Sequence, residues 1–291
     1  MYMQSLFCLV IFLSIAACQK STKQSLDQPQ FEKIPQGFVV TDASVNEASG
    51  IADSKLNDGN LWVEEDSGNP PQLYLLSHNG TVNKRIYIKD AVNRDWEDIA
   101  LSTGPENNKD YLYIGDIGDN DQKYATYTFY RFQEPVMTED TVRVFDKINF
   151  SYPDGSHDAE AFLVDRDTKD IYVITKRDTK SRLYKISYPQ STASMNDAVF
   201  LQELSYSGVV SAAMSMDGKE IIIKTYTDLY YYSKKTGEDI LQALQKESVL
   251  LDYQIEPQGE AVSFAVKNTG FFTLSERISG GPLNLYFYKR N

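Results

Sequence analysis

The chain has 291 residues, 42% of them hydrophobic and 24% charged, enough for one large all-β domain or two small ones. Its formal net charge of -12 argues against nucleic acid as a partner, because phosphate binding needs a basic footprint. The 20 tyrosines and 14 phenylalanines, with little helical periodicity around them, point to strands.

The first element reads as a leader, residues 1–17. Its apolar run from Leu6 to Ala17, about a dozen residues, is too short to span a membrane as a helix. It ends in Ile15-Ala16-Ala17-Cys18, which resembles the bacterial lipobox. The resemblance implies cleavage before Cys18, a lipid on its thiol, and a cell-envelope domain anchored to a membrane outside the cytoplasm. An ordinary secretory peptide with an incidental cysteine is the alternative. With Cys8 removed and Cys18 acylated, the mature domain would carry neither a disulfide nor a cysteine nucleophile. Residues 18–36 are polar and read as a tether, leaving 37–291 as a single domain.

Beyond the tether, strand-like runs alternate with turns: "GFVVTD", "NLWVEED", "QLYLLSHNG", "YLYIGDIGDN", "TYTFYRF", "DIYVITKRD", "RLYKISYP", "EIIIKTYTD", "LYYYSKKTG", "GFFTLSER" and "NLYFYKR". Only Glu238 to Ser248 has a helical period. One segment recurs, as "NEASGIAD", "RDWEDIAL", "HDAEAFLV", "VVSAAMSM" and "PQGEAVSF". Its central residues, Ser49, Glu97, Glu160, Ala212 and Glu260, stand at intervals of 48, 63, 52 and 48. A second column in the strands that follow reads Glu65, Asp116, Lys176, Tyr226 and Glu276. A period near 50 with about four strands per unit predicts a β-propeller. Five blades are expected, closed by pairing "GFVVTD" with "NLYFYKR"; six is the alternative. A monomer is expected.

The first strand of each blade would line the central channel, so the first column becomes a ring. Glu97, Glu160 and Glu260 would sit in it, flanked by Glu47, Asp95 and Asp158. Glu65, Asp116 and Glu276 would add to the negative charge, and Lys176 would be the positive member. Like charges converging in a partly desolvated funnel call for compensation by a cation, a cationic ligand or raised pKa values. The alternative is structural, with each carboxylate accepting backbone N–H bonds from a neighbouring turn.

Oxygen ligands are densest at Gly115 to Asp121, where Asp116, Asp119 and Asp121 suit a hard cation such as Ca²⁺. A plain Asp/Gly turn is the alternative. "EEDSG" at Glu64 to Gly68 is a weaker version of the same pattern. Two histidines and no mature cysteine leave a zinc site short of ligands. His78, in "SHNG", reads as an exposed turn; His157 is an acid/base candidate beside Asp158 and Glu160, or a surface residue. Trp62 and Trp96 read as blade packing, and Arg94, Lys176 and Arg177 as counter-charges or contacts for an anion. No nucleophile elbow, P-loop or dinucleotide fingerprint is present.

The run "EASGIAD…LWVEEDSG…DWEDIA…YIGDIGDN…DAEAF" is similar to secreted bacterial propellers of the group around the phytase-like and SdiA-regulated proteins, over most of Glu47 to Arg277. The resemblance implies a propeller and, from the phytases, Ca²⁺-bridged phosphate hydrolysis. The expected function is a lipid-anchored propeller whose acidic channel binds Ca²⁺ or a small polar ligand. One alternative is a hydrolase of phosphoesters, lactones or glycosides using Ca²⁺ or paired carboxylates such as Glu97 and Glu160. Another is an interaction scaffold.

Overall fold

The computed structural model describes residues 31–278 and 281–291. The leader, Cys18 and most of the tether lie outside them. The chain joins the fold within the segment read as tether, where Phe31 bridges to Arg290 and packs edge-on against Phe271.

In chain order, β1 (Gln36–Val40) precedes the first blade, made of β2 (Ala48–Asp53), β3 (Asn60–Glu65), β4 (Gln72–Ser77) and β5 (Val82–Ile88). The second blade holds β6 (Trp96–Thr103), β7 (Asp110–Asp116), β8 (Tyr127–Gln133) and, after β9 (Thr141–Val142), β10 (Asp146–Ser151). The third holds β11 (Ala159–Val164), β12 (Ile171–Thr175), β13 (Arg182–Ile186) and, after β14 (Asn196–Asp197), β15 (Val199–Glu203). The fourth holds β16 (Val209–Met214), β17 (Glu220–Thr225), β18 (Leu229–Ser233) and, beyond the helix α1 (Ile240–Leu244), β19 (Val249–Leu251). The last holds β20 (Gly259–Phe264), β21 (Gly270–Ser275) and β22 (Leu283–Lys289).

These sheets form a five-bladed propeller. β1 pairs antiparallel with β22, from Gln36↔Phe287 to Val40↔Leu283, so both ends of the chain share one blade and close the ring. Two blades depart from the expected four strands. β9 pairs parallel to β5 and β14 parallel to β10, so each insertion covers the outer edge of the preceding blade. The expected helix is α1, capped by Asp239, which accepts from the Gln242 amide while the Gln242 side chain accepts from the Asp239 amide.

Apolar residues fill the spaces between blades. Tyr113, Phe129, Phe150, Phe162 and Tyr184 pack between the second and third blades, and Trp62, Leu75, Trp96, Ile114 and Tyr130 between the first and second. The inner strands are mostly buried, β2, β11 and β20 at every residue, and rich in small residues, since five strands converge on one axis. At Gly50 the requirement is absolute, because a Cβ there would lie 2.6 Å from the Asp98 Cα and the Ile99 amide nitrogen. From mid-channel to the end opposite the strand starts lies a space of about 30 Å³, room for a water or two, bordered by Ile51, Ile99, Phe162, Val262, Arg166 and Met216.

Candidate functional site

Every inner strand has a bulge near its start. The pairing skips between Ala48 and Gly50, Trp96 and Ile99, Ala159 and Ala161, Val209 and Ser211, and Gly259 and Ala261. A bulge leaves a residue out of the ladder and re-aims its side chain. The residues so released are Ser49, Glu97 with Asp98, Glu160, Val210 and Glu260. In the fourth blade the equivalent of Glu260 is therefore Val210, two residues before the expected Ala212. The second column shifts as well. Glu65 pairs with Ala48 as Thr175 does with Ala159 and Ser275 with Gly259. Lys176 and Glu276 thus correspond in the first blade to Asp66, one residue beyond Glu65.

The bulged residues and this second column meet at one mouth of the channel. Ser49 donates to the Glu260 Oε2 at 3.4 Å, and the Tyr226 hydroxyl donates to the other Glu260 oxygen. The Lys176 ammonium donates to Tyr226 at 3.0 Å and forms an ion pair with Glu160. Burial alone would lower the Lys176 pKa, but Glu160 and Tyr226 hold it above its ordinary value. Burial raises the Glu160 carboxyl, Lys176 lowers it, and Glu260 raises it again; the net direction is up. Glu276 lies beside Glu260 and is pushed up to about 7 by burial and that neighbour.

The other side of the mouth holds Asp66, Asp95 and Glu97, each offering an oxygen within 4.8 Å of the others'. Asp66 sits at the end of β3, where its amide donates to the Glu47 carbonyl at 2.9 Å. Asp95 is fixed by its own amide, which donates to Asp116 Oδ1 at 2.9 Å. Burial and then Asp66 push the Asp95 carboxyl up to about 6. Glu97 is driven well above the carboxylate range by burial and then by Glu160, Asp66, Glu260 and Glu64. Behind the triad Glu64 is fully buried, and neither of its oxygens has a hydrogen-bond partner among the described residues. Burial and the nearby Asp98 raise its carboxyl strongly. This set of unneutralised oxygens suits a hard cation or a cationic ligand.

Several expected residues have other duties. Asp116 accepts from the Arg94 and Asp95 amides, while Asp119 accepts from the Lys123 and Tyr124 amides and the Tyr127 hydroxyl. Asp121 is exposed and pairs with Lys123. The three do not converge on a common point, so this loop is a hydrogen-bonded turn, and the "EEDSG" segment supplies the mouth instead. Asp158 is held by Arg177 at 2.6 Å and by the Asp119 amide at 2.7 Å. Glu47 accepts from Asn69 at the rim, and Glu65 accepts from the Asn46 amide at 2.8 Å.

His157 is neither a surface residue nor part of the mouth. It is buried against Tyr152 and Tyr184, with Asp154 at 3.2 Å and Asp178 at 3.3 Å from its two ring nitrogens. His78 is half-buried, packed at a tilt against Phe272 and paired with Asp53 at 2.6 Å. Both tryptophans are packing residues; Trp62 donates to Glu134 at 3.0 Å and Trp96 to the Val92 carbonyl at 2.9 Å. Arg94 lies 4.1 Å over the Tyr124 ring.

No protein-family model matches the chain. No curated protein matches it either. Among solved structures, the PQQ-bound form of an aldose sugar dehydrogenase from Streptomyces coelicolor is similar, with a TM-score of 0.48 and 10% identity, covering 89% of this chain and 99% of that one. The fold rests on the five closed sheets and not on this likeness. The resemblance of the acidic motifs to phytase-like and SdiA-regulated proteins reaches the propeller architecture and no family within it.

Proposed function

We propose that this propeller binds a cation, Ca²⁺ being the natural candidate, at the acidic mouth of its channel, with Asp66, Asp95 and Glu97 as ligands. The observation that carries the reading is their mutual approach within 4.8 Å, backed by the buried and unpartnered Glu64. Carboxylates so placed repel one another unless protonated or neutralised, and a divalent ion relieves that repulsion. The domain would act outside the cytoplasm, held to a membrane through a lipid on Cys18. Calorimetric titration of the protein with Ca²⁺ tests the site. Stoichiometric binding that is lost in Asp66→Asn and Glu97→Gln is expected, and no binding by the wild-type protein would overturn it.

A hydrolase is the second reading, favoured by one contrast. Glu160 has an ammonium partner, whereas the charged groups acting on Glu97 are carboxylates, so two nearby acids stand in different electrostatic surroundings. Metal-dependent turnover of a phosphoester, lactone or glycoside that disappears in Glu97→Gln would favour it.

A further inference from the structure

The inner strands all start at the acidic mouth, so the loops joining them to the second strands lie on the opposite face. β22 runs away from the mouth and ends there at Lys289, and β1 is antiparallel to it. Phe31, bridged to Arg290, therefore enters the propeller on the face opposite the acids.

That face has an apolar patch built from two laced loops. The Asn57 side chain donates to the Pro135 carbonyl at 3.0 Å, the Met137 amide donates to Asn57 Oδ1 at 2.8 Å, and the Leu56 amide donates to Glu134 at 3.2 Å. The lacing holds Leu56, Val136 and Met137 out to solvent at 57%, 40% and 39% exposure. Ile34, beside the entry point, is 81% exposed. Each blade also places a cation in its first loop: Lys55, Lys109, Arg166, Lys219 and Lys267. Acids in the same loops balance them, Asp217 pairing with Lys219 and Asp58 with Lys267, so this face carries no surplus of negative charge like that of the mouth. Exposed apolar residues near the other mouth, Val92, Ile255 and Ile278, stand among the acids.

We infer that the face bearing Leu56, Val136 and Met137 rests on the headgroup layer of the anchoring membrane, with the acidic mouth turned away from it. This rests on the lipid anchor at Cys18 proposed above. Cys18 and Phe31 are thirteen residues apart, about 45 Å at full extension, so the entry face is within reach of the bilayer. Exposed apolar side chains on a face of balanced charge suit that interface, whereas the acidic mouth would be repelled by anionic headgroups.

The test uses the full acylated chain in vesicles of phosphatidylethanolamine and phosphatidylglycerol, with a polarity-sensitive fluorophore on Leu56→Cys or on Ala125→Cys in an exposed loop at the acidic end. The label at position 56 is expected to shift to the blue and lose intensity to brominated lipid, and the label at 125 to do neither. Leu56→Asp with Met137→Asp should remove the quenching of a label at Val136→Cys, with Ca²⁺ titration unchanged. Equal exposure of both labels in protein that floats with the vesicles would overturn the orientation and leave the anchor standing. Protein that fails to float would refute the anchor, and the orientation with it. Shielding of the position-56 label without vesicles would assign the patch to a second copy and overturn the inference.

Discussion

Asp98 of the second blade reaches across the channel to Ser211 of the fourth, accepting from its hydroxyl at 3.1 Å and from the adjoining Ala212 amide at 3.0 Å. Ser211 in turn accepts from the Val262 amide of the fifth blade at 3.2 Å. Asp98 is fully buried and adopts a left-handed φ of 64°, a conformation that Asp and Asn tolerate best. It is the structural acid of "DWEDIA", while its neighbour Glu97 points into the mouth.

Asp98→Ala should therefore destabilise the whole ring. Leaving the Ser211 hydroxyl and the Ala212 amide without an acceptor, in a strained backbone, should remove about 3 kcal/mol. For a domain of this size that lowers Tm by roughly 6–12 °C in a thermal melt. Glu97→Gln, which loses no such partners, should leave Tm unchanged or raise it.

Residues in the Gly115 to Asp121 loop separate the proposed metal site from its surroundings. Asp121→Asn removes an exposed ion pair and should change neither Ca²⁺ affinity nor Tm. Asp119→Asn weakens the acceptor of three hydrogen bonds and should lower Tm by a few degrees, about 1 kcal/mol, without abolishing binding. Calorimetry and melting on the same samples would show the difference.

The mouth also sets a pH dependence. Asp95 and Glu276 have folded pKa values raised to about 6 and about 7, above those of an unfolded carboxyl. The folded state then binds more protons than the unfolded state between about pH 4 and 7, so stability falls as pH rises through that window. The metal-free protein should melt higher at about pH 5.5 than at about pH 8. Saturating Ca²⁺ should raise Tm most at the higher pH, where the ligands are ionised.

Removing residues 1–35 takes away the Phe31–Arg290 bridge but leaves all five blades complete, so a cooperative melt should remain. Removing β1 as well strips β22 of its outer partner and uncovers Leu283 and Leu285, both fully buried. Loss of a cooperative melt, or aggregation through the open edge, is expected.

Blade number was legible because one segment returned about every 50 residues, with a spare strand before the first copy and the last copy one strand short. The site was legible in kind but not in register. A bulge in each inner strand puts the released residue outside any count by twos, so alignment of the sequence names Ala212 where Val210 stands and Glu65 where Asp66 stands. The signal for Asp66 was present: it follows its strand as Lys176 and Glu276 follow theirs. Glu64 gave no such sign, because only the close approach of the Gly50 and Asp98 backbones makes its position a buried one. The richest Asp/Gly loop misled because Asp116 and Asp119 spend their oxygens on backbone amides, a use that composition does not separate from metal binding.

The pairing of β1 with β22 has a further meaning for how the molecule forms. Gln36 is among the earliest residues of the domain to be synthesised and Phe287 among the last, so the first strand waits unpaired through almost the entire chain. The first blade waits too, because β9 covers its edge only after Val142 has emerged. Closure is thus a late, long-range event with a slow search behind it. Until the final strand arrives the ring stays open, so the channel and its acidic mouth are the last parts of the molecule to be completed.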